Sequence, residues 1–218
     1  MKKAVLFDLD GVIVHTAQYH YDAWKRLADS EGIYFDQEIN ERLKGVSRAR
    51  SLEIILERSK RTYTEEEKKQ ICDRKNLWYT ELIATLTKQD ILPGVEEFLT
   101  WLRTNRIQTA LCSASMSAEK IIRSIGLTAY FDCMVDAGKL RRQKPDPEIF
   151  LSAAQELDMP YENCIVVEDS QAGLKAAESV HMHTIGIGQK ERLNMAEIVV
   201  ENMESENLDI IKKWMMSL

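Results

Sequence analysis

Near its start the chain carries Asp8-Leu9-Asp10-Gly11, directly after the apolar run Ala4-Val5-Leu6-Phe7. Carboxylates at alternate positions of an extended segment lie on one side of it. Gly11 then allows a sharp turn away from the strand. Two anions so close repel each other unless a proton or a cation compensates. A Mg²⁺ ion would supply that charge and bring a phosphate oxygen to the same place. The chemistry suggested is attack on phosphorus by one aspartate and proton transfer by the other. The same tetrapeptide could instead be a polar turn, acidic for solubility or helix capping. A calcium loop of the EF-hand kind is excluded, because Gly11 comes too early for it.

Three further polar clusters follow apolar runs. Ser113-Ala114-Ser115 comes directly after Thr109-Ala110-Leu111-Cys112. A hydroxyl there, with free N–H groups at a helix start, can hold phosphate oxygens, although serine is also an ordinary helix cap. Lys144-Pro145-Asp146-Pro147 places a lysine before a proline, which restricts it to extended conformations. Asp146 suits a cap and Pro147 a first helical turn. An ammonium fixed near two aspartates and a phosphate would offset charge in a transition state; alone, Lys-Pro reads more simply as a surface lysine before a capped helix. Glu168-Asp169-Ser170 follows Cys164-Ile165-Val166-Val167. Consecutive carboxylates at the end of a buried strand are costly unless they bind something, and Asp169 is the natural partner of Asp8 around a Mg²⁺ ion.

The elements that must position these groups are legible in the hydrophobic pattern. Strands are expected at Ala4–Phe7, Gln108–Cys112, Cys133–Val135, Cys164–Val167, Thr184–Ile187 and Ile198–Val200. Helices are expected at Val95–Thr104, Ala118–Ile125, Pro147–Leu157, Ala172–Ser179 and Asn207–Met216. Continuous apolar strands mark a sheet covered on both faces, and strand-helix alternation marks a parallel, doubly wound α/β core. In such a sheet ligands bind at the carboxyl ends of the strands, and each polar cluster follows one of the expected strands. Residues 15–86 break the rhythm with helices at Ala17–Ser30, Asp36–Leu43, Ser47–Ser59 and Thr64–Leu86. They read as an all-helical cap inserted into a core made of residues 1–14 and 87–218, with Leu92-Pro93-Gly94 marking the return.

A net charge of −6 over 218 residues argues against a nucleic-acid partner. Arg141-Arg142 with Lys144 is the one notable basic cluster outside the expected helices. No apolar run reaches membrane-spanning length, so no membrane partner is expected. Met1-Lys2-Lys3 leads straight into the first strand, so no signal peptide is expected. The four cysteines show no metal-ligand spacing, and Cys112 and Cys164 read as buried thiols in a reducing cytoplasm.

Taken in order, Asp8-Leu9-Asp10-Gly11, Ser113, Lys144-Pro145 and Glu168-Asp169 resemble the four motifs of the haloacid dehalogenase superfamily of phosphotransferases. The resemblance covers the whole chain. It implies a Rossmann-like core with an inserted helical cap, and a Mg²⁺ cofactor held by Asp8, the backbone carbonyl of Asp10, and Asp169, with Glu168 close by. It implies Asp8 as the nucleophile that becomes an aspartyl phosphate and Asp10 as the general acid/base. Ser113, the Ala114 backbone and Lys144 would hold the transferring phosphate.

Within the expected cap, Thr16, His20 and Trp24 at helical spacing are similar to the sugar phosphomutases of that superfamily. So are Leu43-Lys44-Gly45-Val46-Ser47-Arg48 and Ser51-Leu52. This implies interconversion of β-D-glucose 1-phosphate and D-glucose 6-phosphate through a bisphosphate intermediate. Arg48 would bind the second phosphate, with Ser115 contributing. Thr16, His20, Trp24, Lys44, Gly45, Val46, Ser47 and Ser51 complete the expected substrate-binding set, Trp24 reading mostly as packing. A mutase must keep water from its phosphoenzyme, and closing a cap does so.

The chain departs from the superfamily pattern at Met116 and Ser117, where a basic residue and an asparagine are usual, and at His15, often acidic. These positions leave the sugar open. A sugar-phosphate phosphatase would share the core motifs, as would a mutase for another hexose. A non-catalytic sugar-phosphate sensor would be expected to lose Asp8 or Asp169, and both are present. A monomer acting on a small-molecule sugar phosphate is expected by analogy.

Overall fold

The computed structural model describes residues 2–43 and 46–218. Lys44 and Gly45, two of the residues expected to bind substrate, lie outside the described residues. In chain order the elements are β1 (Ala4–Phe7), α1 (Ala17–Ser30), α2 (Gln37–Glu41), α3 (Arg48–Leu56), α4 (Glu65–Ile83), α5 (Val95–Thr104), β2 (Gln108–Ser113), α6 (Ala118–Ser124), β3 (Cys133–Asp136), α7 (Glu148–Glu156), β4 (Cys164–Glu168), α8 (Gln171–Glu178), β5 (His183–Ile187), β6 (Ile198–Val200) and α9 (Ser205–Ser217). Short 3₁₀ turns separate some of them. The chain divides into two compact units, Met1–His15 with Thr87–Leu218, and Thr16–Leu86.

The first unit holds all six strands in one parallel sheet of order β3-β2-β1-β4-β5-β6. This is the doubly wound α/β architecture, with β1 and β4 side by side at its centre. Alternate residues of the strands face opposite layers. Ala4, Leu6, Cys112 and Val166 pack with Phe150, Ala153 and Ala177 of α7 and α8. On the other face Phe7 meets Phe98 of α5 edge-on, ring centroids 5.6 Å apart, and Phe131 at 6.1 Å. Both faces are therefore dry, which is why the middles of the central strands are continuous apolar runs, with polar residues confined mostly to their ends.

Among its described residues the second unit's elements are all helices, α1 to α4. Its core gathers Trp24, Leu27, Phe35, Ile39, Leu52, Ile55 and Ile71. Its helix ends are set by local side chains. Asp36 Oδ1 accepts from the Ile39 N–H at 2.9 Å. Ser47 Oγ accepts from the Arg50 N–H at 3.2 Å. Thr64 and Glu67 form a reciprocal capping box at the start of α4, a motif that satisfies two otherwise unpaired N–H groups.

Several boundaries differ from the pattern-based expectation, each for a local reason. Ser47 and Thr64 act as caps and so stand outside the helices they were expected to begin. After Ile83 the chain tightens, with Thr85 N–H donating to Leu82 O and Leu86 N–H to Ile83 O, so α4 stops short of Leu86. Pro147 occupies the cap position of α7 rather than its first turn, while Asp146 Oδ1 accepts from the Glu148 N–H at 3.0 Å. Lys144 does not follow β3 directly, because a 3₁₀ turn at Ala137–Lys139 intervenes. The strands meanwhile run further than their apolar stretches. Ser113 pairs with Asp136, and Glu168 pairs with Gly186, so three polar residues at the carboxyl edge belong to the ladder itself.

Phe98 is fully buried between the sheet and α5. Phe98→Ala is expected to lower unfolding free energy by about 3–5 kcal/mol, measured by denaturant titration. A loss below about 1 kcal/mol would contradict this packing.

Candidate active site

Asp8 sits one residue past β1, tied into the sheet edge by its N–H, which donates to Val167 O at 3.0 Å. Lys144 Nζ donates to Asp8 Oδ1 at 2.6 Å, to Glu168 Oε1 at 2.5 Å and to the Cys112 carbonyl at 3.2 Å. An ammonium has three protons, and here each has an acceptor. All three side chains are buried. Burial alone would deprotonate Lys144, but the carboxylates of Asp8 and Glu168 outweigh it and hold its pKa above the ordinary lysine value. Burial raises Asp8 to about 6, an effect moderated by Lys144 and reinforced by Glu168. The Asp10 backbone N–H also bonds to the Asp8 carboxylate and favours its charged form.

Glu168 is the last residue of β4. Its second oxygen accepts from Ser170 N–H at 3.0 Å and Ser170 Oγ–H at 2.8 Å. Ser170 Oγ in turn accepts from Gly173 N–H at 3.1 Å. A Cβ at Gly173 would stand 2.0 Å from Glu168 Cδ, so only glycine lets the carboxylate lie against the first turn of α8. Gly11, with φ +81°, does the same for Asp169, whose Oδ2 lies 2.1 Å from where a Cβ would be.

Oxygen atoms of Asp8, Glu168 and Asp169 lie within 4.8 Å of one another. Three carboxylates around one ammonium leave two negative charges, which a single divalent cation balances, and all-oxygen donors suit a hard cation. Asp169 records the imbalance. Loss of water contact and then the charges of Asp8, Glu168 and Asp10 raise it to about 8, although the residue keeps an open edge to solvent.

Beside this cluster Ser113 is buried and Ser115 half-buried. Ser113 Oγ accepts from Ser115 N–H at 3.1 Å, and Ser115 Oγ from Ser117 N–H at 3.2 Å. The helix cap of α6 is Ser117, so Ser113 is not serving as an ordinary cap. Asp10 begins a tight turn in which Gly11 N–H donates to Val14 O at 2.8 Å. The core thus brings Asp8, Lys144, Glu168 and Asp169 together, with Ser113 at the end of β2 and Asp10, Ala114 and Ser115 on the adjoining loops.

Within the helical unit, His20 stacks on Tyr79 with ring centroids 4.1 Å apart. Lys75 Nζ lies 2.9 Å from His20 Nδ1 and faces the Trp24 and Tyr79 rings at 4.8 and 4.6 Å. Because an ammonium can only donate, Nδ1 accepts and the imidazole is neutral. Burial, then the charges of Lys75 and Arg48, pulls the His20 pKa well below its ordinary value. Lys75 was missed by sequence reasoning, since a lysine inside a charged helix reads as solvated, yet it is only 2% exposed. The usable signal was paired spacing: His20 and Trp24 one turn apart, Lys75 and Tyr79 one turn apart.

Arg48 donates to Asn76 Oδ1 at 2.6 Å. Ser51 and Thr16 are buried, and Thr16 Oγ1 has no hydrogen-bond partner among the described residues. Val46 is exposed, Ser47 caps α3, and Trp24 belongs to the helical core.

Comparison with known proteins gives a consistent picture. The haloacid dehalogenase-like hydrolase family matches residues 2–181. Beta-phosphoglucomutase of Bacillus subtilis (strain 168) is 42% identical over 215 residues, 97% of this chain and 95% of that one. The phosphorylated carbohydrates phosphatase of Thermotoga maritima is 32% identical over 202 residues, 91% of this chain and 90% of that one. The crystal structure of beta-phosphoglucomutase from Clostridium difficile superimposes with a TM-score of 0.93 at 42% identity, covering 100% of this chain and 98% of that one.

The raised carboxylates predict a pH signature. Asp8 and Asp169 have ordinary values of 3.8 and folded values of about 6 and about 8. Between those limits the folded state binds protons that the unfolded chain has released. Their contribution to stability is therefore full below about pH 4 and is lost as pH rises toward about 8. A divalent cation favours the ionised forms and should raise the melting temperature far more at about pH 8 than at about pH 5. Equal increments at both values would contradict the cluster as described.

Proposed function

The chain belongs to the haloacid dehalogenase-like hydrolase family, and from that premise we propose that it is a phosphomutase interconverting β-D-glucose 1-phosphate and D-glucose 6-phosphate. The observation that carries this reading is the buried Asp8–Lys144–Glu168 cluster beside Asp169, in a chain 42% identical to a beta-phosphoglucomutase along nearly its whole length.

Asp8 is the nucleophile. It is oriented by Lys144 Nζ, which donates to its Oδ1, and by the Asp10 N–H. In the forward direction the phosphoryl group of phospho-Asp8 passes to the C6 hydroxyl of β-glucose 1-phosphate, and Asp10 takes the hydroxyl proton. The 1,6-bisphosphate then presents its C1 phosphate. Asp8 attacks it, the C1–oxygen leaves with the proton returned by Asp10, and glucose 6-phosphate departs. Lys144, Ser113 and the Ala114 backbone hold the equatorial oxygens, where charge develops. Arg48, whose planar fork suits phosphate, is assigned to the non-reacting phosphate with Ser115. Thr16, His20 and Ser51 are assigned to the sugar.

A divalent cation would balance the two residual charges, and we assign it as Mg²⁺ held by Asp8, Asp169 and the Asp10 carbonyl, with Glu168 close by. When bound it offsets the charge of the phosphate and the carboxylates. The cytoplasm is the proposed compartment, which four free thiols support; no described helix is long and apolar enough to cross a membrane.

The second reading, a sugar-phosphate phosphatase, is favoured by the 32% identity to a phosphorylated carbohydrates phosphatase, and it differs only in water replacing the sugar hydroxyl. The test supplies Mg²⁺, β-glucose 1-phosphate and a trace of the bisphosphate, then measures glucose 6-phosphate and free phosphate. Glucose 6-phosphate should dominate; mostly free phosphate would assign a phosphatase. Asp8→Asn should lower turnover by about a thousandfold or more, and near-normal turnover would overturn Asp8 as nucleophile.

A further inference from the structure

A bisphosphate intermediate needs two anion sites, and the described core supplies only one buried cation, Lys144, among the motif residues. The loop after β2 offers nothing charged beyond Ser113, because Ala114, Ser115, Met116 and Ser117 are neutral. Met116 is 64% exposed, and its Cε comes within 4.0 Å of the position a Cβ would take on Gly138. The loop after β2 therefore lies beside the segment after β3.

This second segment runs along the same carboxyl edge. It leaves β3 at Asp136, the ladder partner of Ser113, and it ends at Lys144, whose ammonium reaches Asp8 and the Cys112 carbonyl. Both of its ends are thus fixed beside the phosphate loop. Between them stand Arg141 and Arg142, a basic pair in a chain of net charge −6.

The two arginines are not equivalent. Glu148 receives the backbone N–H of Arg141 at 3.1 Å and of Arg142 at 2.7 Å, so its carboxylate pins the loop backbone. Arg142 turns its guanidinium back onto Asp146 at 3.0 Å and toward Glu148 at 3.8 Å. Arg141 is exposed, and among the described residues no carboxylate forms an ion pair with it. Its charge acts on Glu148 from a distance, but a cation whose backbone is anchored and which makes no ion pair among the described residues is available to an external anion.

We propose that Arg141 is a specificity-determining residue that binds the non-reacting phosphate of the sugar phosphate from the core edge. The proposal rests on the mutase reading above. It predicts a separation between ligands with one and two anion requirements. The phosphoenzyme must hold β-glucose 1-phosphate by its phosphate, whereas phosphorylation of Asp8 by acetyl phosphate uses the Lys144 pocket alone.

Steady-state kinetics on the Mg²⁺-loaded full chain tests this with Arg141→Ala, Arg141→Lys and Arg142→Ala. Arg141→Ala should raise KM for β-glucose 1-phosphate about tenfold or more with kcat changed far less, and leave the rate of Asp8 phosphorylation by acetyl phosphate unaltered. Arg141→Lys should recover part of the loss, since it keeps charge without the fork. Arg142→Ala should leave KM within about twofold. An unchanged KM in Arg141→Ala, or the same KM rise in Arg142→Ala, overturns the assignment while parent turnover upholds the mutase. Parent protein that accepts phosphate from acetyl phosphate but never passes it to the sugar overturns the mutase reading and this proposal together.

Discussion

One buried ammonium organises the chemistry of this protein. Lys144 stands between Asp8 and Glu168 with every proton engaged. Each carboxylate, isolated in that environment, would be protonated or would disrupt the fold. The lysine makes their charge tolerable, and it also prevents them from satisfying one another completely, since one positive charge faces three carboxylates once Asp169 is counted. The residual negative charge suits the place to a divalent cation and keeps it from being a closed ion pair.

The sheet edge provides the precision. Ser113, Asp136 and Glu168 are ladder residues, and Asp8 is held by a backbone bond from its own N–H to Val167. Their Cα positions are therefore set by main-chain hydrogen bonds rather than by loop conformation. Gly11 and Gly173 then allow carboxylates to sit where a methyl group would collide. A rigid edge with close-approaching glycines holds these carboxylates in fixed positions, as the proposed attack of Asp8 on phosphorus would need.

The helical unit solves a different problem with similar means. Lys75 is buried there too, but its partners are a neutral imidazole and two aromatic faces. Burial and the charge of Lys75 together hold His20 unprotonated.

Much of this was legible from residue order. The apolar runs located all six strands, because a sheet covered on both faces leaves no polar alternation to confuse. The places of Asp8, Asp10, Ser113, Glu168 and Asp169 were legible because polar residues clustered at the ends of such runs stand out against them, whereas Lys144, separated from β3 by a 3₁₀ turn, stood out only by its place before Pro145. Helix ends were less so, since a residue such as Ser47 or Thr64 is both a good cap and a tolerable first turn. Pairing across the fold was not legible. Spacing shows that Lys75 and Tyr79 share a helix face, as do His20 and Trp24, but not that the two faces meet, and nothing in Arg141-Arg142 announces that only one guanidinium pairs with Asp146. Local propensity and hydrophobic period decide elements and strand ends; which charges meet, and which remain unmatched, depends on contacts between residues far apart in the chain, and only the tertiary structure decides those.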